Sequence, residues 1–84
     1  MSAIPKWALG LDWTGWKVAQ PEDGPAYMTR TVKGFEDVLY QIRIHKGNYL
    51  EIFLDGAEAG LDATFPKMEG ALSVARSFIE GMGE

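Results

Sequence analysis

The sequence predicts an α+β domain: an antiparallel four- or five-stranded β-meander sheet with one C-terminal α-helix packed on one face. Three observations lead there. Apolar and polar residues alternate with a period of two through most of the stretch from 26 to 65, turn formers break that stretch at short intervals, and apolar residues recur at helical spacing after Pro66. The 84 residues are chain enough for one hydrophobic core and not for two. A single domain over 1-84 is therefore expected, with a Trp-rich strand segment at 6-19, a meander at 26-65 and a helix at 66-81.

Taken in order, Trp7, Leu9, Leu11 and Trp13 alternate with Ala8, Gly10, Asp12 and Thr14, which reads as a strand. Thr14-Gly15 then makes a turn, and Trp16 to Ala19 a short extended run. Gln20 to Pro25 is dense in turn formers and separates this segment from the meander. Lys33-Gly34 reads as a two-residue turn, which sets Val32 opposite Phe35, Arg30 opposite Asp37, Met28 opposite Leu39 and Tyr27 opposite Tyr40. Lys46-Gly47-Asn48 works as a three-residue loop, pairing Ile44 with Leu50, Ile42 with Ile52, Tyr40 with Leu54, Arg43 with Glu51 and His45 with Tyr49. A slip of one residue would set Ile44 against Glu51, so burial of one face selects this register. Asp55-Gly56 begins the next turn, and Leu61, Ala63 and Phe65 alternate with Asp62 and Thr64 as a last strand. Pro66 suits a first helical turn, and Met68, Leu72, Ala75, Phe78, Ile79 and Met82 share one helix face. Gly70 weakens the early turns, and Gly81 and Gly83 can end the helix.

These registers divide the sheet into two faces. Val38, Tyr40, Ile42, Ile44, Leu50, Ile52 and Leu54 form an apolar surface that the helix can cover. The other face carries Met28, Arg30, Phe35, Leu39, Gln41, Arg43, His45, Tyr49, Glu51 and Phe53, a mixture of aromatic, aliphatic and charged groups. One helix cannot cover both. Met28, Phe35, Leu39, Arg43, Tyr49 and Phe53 are accordingly expected to form a face for protein binding or self-association, since Met, Tyr, Phe and Arg are enriched at interfaces. The competing expectation is that the tryptophan segment folds over it.

Composition narrows the chemistry. Eight basic and twelve acidic residues give a net charge of −4, which disfavours unspecific binding to a phosphate backbone. The acidity is polarised: up to Lys46 there are six basic and five acidic residues, and after it two and seven. No cysteine is present, which removes disulfides, thiolate catalysis, zinc ribbons and iron-sulfur ligation. His45 is the lone histidine, and Ser2, Ser73 and Ser77 lack a nucleophile's setting. Asp55, Glu58 and Asp62 do not follow the calcium-loop spacing, and Gly56 and Gly60 do not follow a phosphate-loop or dinucleotide pattern. No catalytic residue, metal site or cofactor is expected. No apolar run reaches spanning length, so no membrane partner is expected and the location is read as cytoplasmic.

A second function class stays open at this point. Trp7, Trp13 and Trp16 offer flat surfaces for stacking bases, and Lys17, Lys33 and Lys46 lie in the basic first half, so a single-stranded nucleic-acid-binding module is the alternative. Nucleic acid is the less favoured partner, because Arg30 and Arg43 face Asp37 and Glu51 in the expected registers. Four strands followed by one helix resembles the positive-cofactor-four type of single-strand-binding architecture, although that family's basic surface is missing. In size, acidity and lack of motif the chain is also similar to small accessory proteins of phages and mobile elements, which implies binding to and modulation of a host protein. The expectation is a non-catalytic protein-binding or regulatory module, its partner another protein or a second copy in a homodimer.

Overall fold

The strongest alternating stretch folds into the hairpin that its side chains dictate. In the computed structural model, which describes residues 4–57 and 60–82, the elements are β1 (Lys17–Ala19), β2 (Tyr27–Lys33), β3 (Leu39–His45), β4 (Tyr49–Leu54), β5 (Leu61–Thr64) and α1 (Met68–Gly81). The strands form one antiparallel sheet in the order β1-β2-β3-β4-β5, an α+β meander with its single long helix at the C-terminal end. Between β3 and β4 the pairs are Ile44 with Leu50, Ile42 with Ile52, Tyr40 with Leu54, Arg43 with Glu51 and His45 with Tyr49. Gly47 and Asn48 turn the corner with φ of 89° and 63°, a left-handed geometry that these two residue types tolerate best. Asn48 also donates its side-chain N–H groups to the Phe65 and Pro66 carbonyls, tying this turn to the junction between β5 and α1.

The β2–β3 connection differs from the expected two-residue turn. Met28 stands opposite Ile44, Arg30 opposite Ile42, Val32 opposite Tyr40 and Lys33 opposite Leu39. The chain runs from Gly34 to Val38 through a 3-10 turn at Phe35–Asp37, closed by the Gly34 N–H on the Val38 carbonyl at 2.7 Å. The shift is by an odd number of residues, so it exchanges the two faces of β2. Met28 and Val32 turn inward, each 1% exposed, while Thr29 and Thr31 take the other side. Burying two apolar side chains in place of two threonines outweighs the tight turn, and Phe35 is left outside the sheet, 76% exposed. Gly34 serves close packing instead of a tight hairpin: a Cβ there would lie 2.8 Å from the Tyr40 ring and 2.9 Å from the Met82 sulfur. Asp37 pairs with Lys33 at 3.3 Å.

The N-terminal segment is also not the expected strand. Lys6–Ala8 is a 3-10 turn, and only Lys17–Ala19 joins the sheet. Gly10 and Gly15, at φ of 86° and 87°, break the extended path between them. The indole N–H of buried Trp13 donates to the Ala8 carbonyl at 2.7 Å, and Trp7 and Trp16 meet its ring edge-to-face at centroid distances of 6.3 and 5.5 Å. The alternating tryptophans therefore serve a compact cluster and not a pleated surface. Asp12 accepts from the Thr14 hydroxyl at 2.6 Å and from its N–H at 3.0 Å, and these bonds, led by the hydroxyl, hold the Asp12 carboxyl below its ordinary pKa. Arg76 of α1 bonds the Asp12 carbonyl at 2.7 Å and fastens the segment to the helix.

The helix begins at Met68, two residues beyond Pro66, and buries Ala71, Leu72, Ala75 and Ile79. Phe78 meets Tyr40 edge-to-face at 5.4 Å. Leu72, Ile79 and Trp13 belong to one core with Met28, Val32, Ile42, Ile44, Leu50 and Ile52. Val38 and Leu54, expected in that core, lie at its margin, 38% and 46% exposed. Phe65 follows β5 and reaches back with its N–H to the Asn48 carbonyl at 2.9 Å. Gly83, expected among the helix-ending residues, lies outside the described residues, as does Glu58 of the acidic cluster. No helix among the described residues is long and apolar enough to cross a membrane.

The register makes a stability prediction that separates Met28 from Phe35. Met28→Ala is expected to lower unfolding stability by about 2–5 kcal/mol, as for truncation of a buried methionine, and Phe35→Ala to change it by less than about 0.5 kcal/mol. Urea unfolding of the two variants checks this, and equal losses would contradict the observed β2–β3 pairing.

Candidate functional site

Because helix α1 and the tryptophan cluster share one side of the sheet, the other side has no cover among the described residues. Its side chains are set by the strand registers in rows that run across the sheet. One row is aromatic: Tyr27 lies against His45 at a ring-centroid distance of 4.9 Å, and His45 against Tyr49 at 5.5 Å. The next is charged: Lys17 pairs with Thr29, Thr29 with Arg43, Arg43 with Glu51 and Glu51 with Asp62. A third places Thr31 beside Gln41 and Gln41 beside Phe53.

Arg43 is at the centre. Its guanidinium carbon sits 4.9 Å from the centre of the Phe53 ring and 5.3 Å from that of Tyr27, so two aromatic faces flank the cation. Glu51 stands across the strand but directs its carboxylate to His45, with Oε1 2.6 Å from Nε2. The buried Nε of Arg43 has no hydrogen-bond partner among the described residues. The central cation is thus gripped by rings while its cross-strand acid is engaged elsewhere.

The neighbouring groups are tied down. The Tyr49 hydroxyl donates to Asp62 Oδ2 at 2.6 Å, and this bond, with lesser contributions from partial burial and the nearby carboxylates, pushes the phenol pKa up to about 12. Thr29 donates to Gln41, and Gln41 to Asp55. A recess of about 310 Å³ opens between Arg43, Glu51, Phe53, Gly60 and Asp62. Gly60 in its lining packs tightly on β4, where a Cβ would collide with the Ile52 carbonyl oxygen. A second recess of about 280 Å³ lies between Lys17, Thr29, Thr31 and Gln41. Among the described residues no group of three or more His, Asp or Glu side chains is placed to hold a metal ion.

Of the six residues expected on a binding face, Arg43, Tyr49 and Phe53 come together here. Leu39 lies at the end of the same face, half its surface open, with its carbonyl bonded by the Asp55 N–H at 3.0 Å. Phe35 sits apart in the β2–β3 connection, and Met28 is in the core on the opposite side. Tyr27, Lys17, Thr31 and Asp62 join the face without having been expected there. The alternation of Met28 and Val32 with Thr29 and Thr31 was the available signal for β2, and it points the same way as the observed register.

The six alternative nucleic-acid contacts do not share a surface. Trp13 is buried, and Trp7 and Trp16 pack against the core on the helix side. Lys17 and Lys33 lie on the open face, Lys33 paired with Asp37, and Lys46 is in the β3–β4 turn. No protein-family model, no curated protein and no solved structure matches the chain.

The Tyr49–Asp62 bond has a pH signature. A phenol whose pKa is raised on folding lends stability that is complete below its ordinary value of 10.0 and is lost as pH climbs through about 12. Tyr49→Phe is expected to abolish the highest step of the tyrosinate absorbance titration and to flatten the fall in melting temperature over that interval. A titration left unchanged by Tyr49→Phe would contradict the assignment.

Proposed function

We propose that this chain is a small non-catalytic protein-binding module, and that its partner docks on the open face of the sheet. The observation that carries this reading is Arg43, flanked by Tyr27 and Phe53 in the middle of an uncovered five-stranded surface, with no acid paired to it among the described residues. Arginine and aromatic side chains dominate the energetics of protein interfaces, because a partly desolvated guanidinium gains most from a geometrically matched acceptor and rigid rings lose little entropy on binding. Phe53 and Arg43 are already held in place by each other. Such a surface binds without first having to order its anchors.

Charge supports a protein partner over a nucleic acid. Lys17 and Arg43 on this face are matched by Glu51 and Asp62 in the same row, and the whole chain carries −4. The flat indoles that would stack bases lie on the other side of the sheet. The regulatory part of the reading, modulation of a host protein by a phage or mobile-element accessory protein, rests on small size, acidity and the lack of any catalytic motif.

Phe53→Glu places a charge at the centre of the face without touching the core, and Arg43→Ala removes the cation. Both are expected to keep the circular-dichroism spectrum and to weaken partner binding by at least about 2 kcal/mol, roughly thirtyfold. Lys67→Ala, on the far side of the molecule, should bind as the wild type. Affinity capture with quantified retention makes the comparison. Equal retention by Phe53→Glu and wild type, or tryptophan quenching by an oligonucleotide that fades steeply with salt, would overturn the reading.

A further inference from the structure

The charged row across the open face has an order that selects its own partner. From β1 to β5 it reads Lys17, Thr29, Arg43, Glu51, Asp62: the cations lie toward one sheet edge and the carboxylates toward the other. Resting on the reading of this face as a protein-binding surface, we infer that it receives a second copy of the same chain, stacked face to face about a two-fold axis parallel to the strands and running between β3 and β4.

The signs of the charges pick out that axis. A two-fold parallel to the strands reverses strand order in the facing sheet while keeping each row over itself, so the row meets its own reverse. With the axis between β3 and β4, Arg43 of each copy lies over Glu51 of the other, and Thr29 lies over Asp62. In the adjoining rows the same operation sets His45 over Tyr49 and Gln41 over Phe53. Arg43 meets an anion, no like charges are superposed, and Lys17 on β1 lies beyond the overlap. The other in-plane two-fold, across the strands at the level of the charged row, superposes like on like: Lys17 on Lys17, Arg43 on Arg43 and Glu51 on Glu51. Like charges brought together in a desolvated interface are strongly unfavourable, so the row discriminates between the two arrangements. A sheet-to-sheet spacing of about 10 Å leaves room for an arginine and a glutamate to meet end to end.

The pairing also completes what the single chain leaves open. Among the described residues Arg43 has its rings but no acid, and Glu51 is bonded to His45. In the dimer each guanidinium gains a carboxylate from the facing sheet.

Sedimentation or light scattering across a concentration series up to about 500 µM reads the mass, the range in which an interface of micromolar affinity is saturated. Wild type is expected to rise to twice the chain mass. Arg43→Glu alone and Glu51→Arg alone should each stay at the mass of one chain, because both 43–51 pairs across the axis become repulsive. An equimolar mixture of the two should recover the doubled mass, since both of its cross-axis pairs are then opposite in sign. A second measurement does not depend on charge reversal being tolerated by the fold. The chain has no native cysteine, so Thr29→Cys and Asp62→Cys can be joined by a short bismaleimide. In the dimer each lies over the other, whereas in one chain they stand three strand spacings apart, about 14 Å. Mixed single-cysteine chains should cross-link to each other and neither to itself.

A wild type that keeps the mass of one chain at every concentration overturns self-pairing, and the open-face reading then stands or falls on Phe53→Glu with an unlike partner. A doubled mass that survives both charge reversals, or a cross-linking pattern without the Thr29–Asp62 preference, overturns it as well, by placing the contact between copies elsewhere.

Discussion

The molecule depends on one constraint: every strand must turn the same side to a single strip of apolar side chains. Ile42, Ile44, Leu50 and Ile52 in the central hairpin define that side, and β2 aligns to it by bringing in Met28 and Val32. A helix only fourteen residues long cannot by itself seal a five-stranded sheet. The tryptophan segment lies beside it on the same surface, anchored by the Trp13 bond to Ala8 and by Arg76 to Asp12. Two covers on one side leave the other with none among the described residues.

That division explains the character of the open face. Antiparallel sheets can keep one face in water, and this one does so with threonines, glutamine and matched charges between its rings. Its polar groups are largely engaged with one another, Tyr49 with Asp62, Glu51 with His45 and Gln41 with Asp55. Arg43 differs, held by dispersion and by the quadrupoles of Phe53 and Tyr27, with no ion pair among the described residues. A cation so placed has shed some of its water without gaining an acid. It is therefore the point on the surface with most to gain from an incoming acceptor, and the order of charges around it decides which partner orientation is favourable.

The β3–β4 hairpin could be read residue by residue, because a slip of one residue would have set an isoleucine against a glutamate and the three-residue loop fixed the remaining choice. The helix was legible within two residues from its apolar spacing, and the order of the four meander strands from the turn formers between them, whereas the pairing of β1 with β2 was left open. The β2–β3 pairing was not, because Lys33-Gly34 resembles a tight turn when judged on local chemistry alone. Three of the six residues expected on the face were consequently displaced from it or left at its margin: Met28 to the core, Phe35 to the connecting loop and Leu39 to the end. The tryptophan segment misled for a related reason, since alternation at two-residue spacing also arises when indoles pack edge-to-face around a turn.

What the sequence determined on its own is whatever depends on neighbours along the chain: the alternation, the helical stripe, the three-residue turn and the absence of a catalytic motif. What only the tertiary structure decided is which way β2 faces and which side of the sheet the tryptophans cover. Both choices are settled by the total apolar area buried across elements far apart in sequence, and no local window contains that sum. The open face, with Arg43 between its rings, is the remainder of that choice.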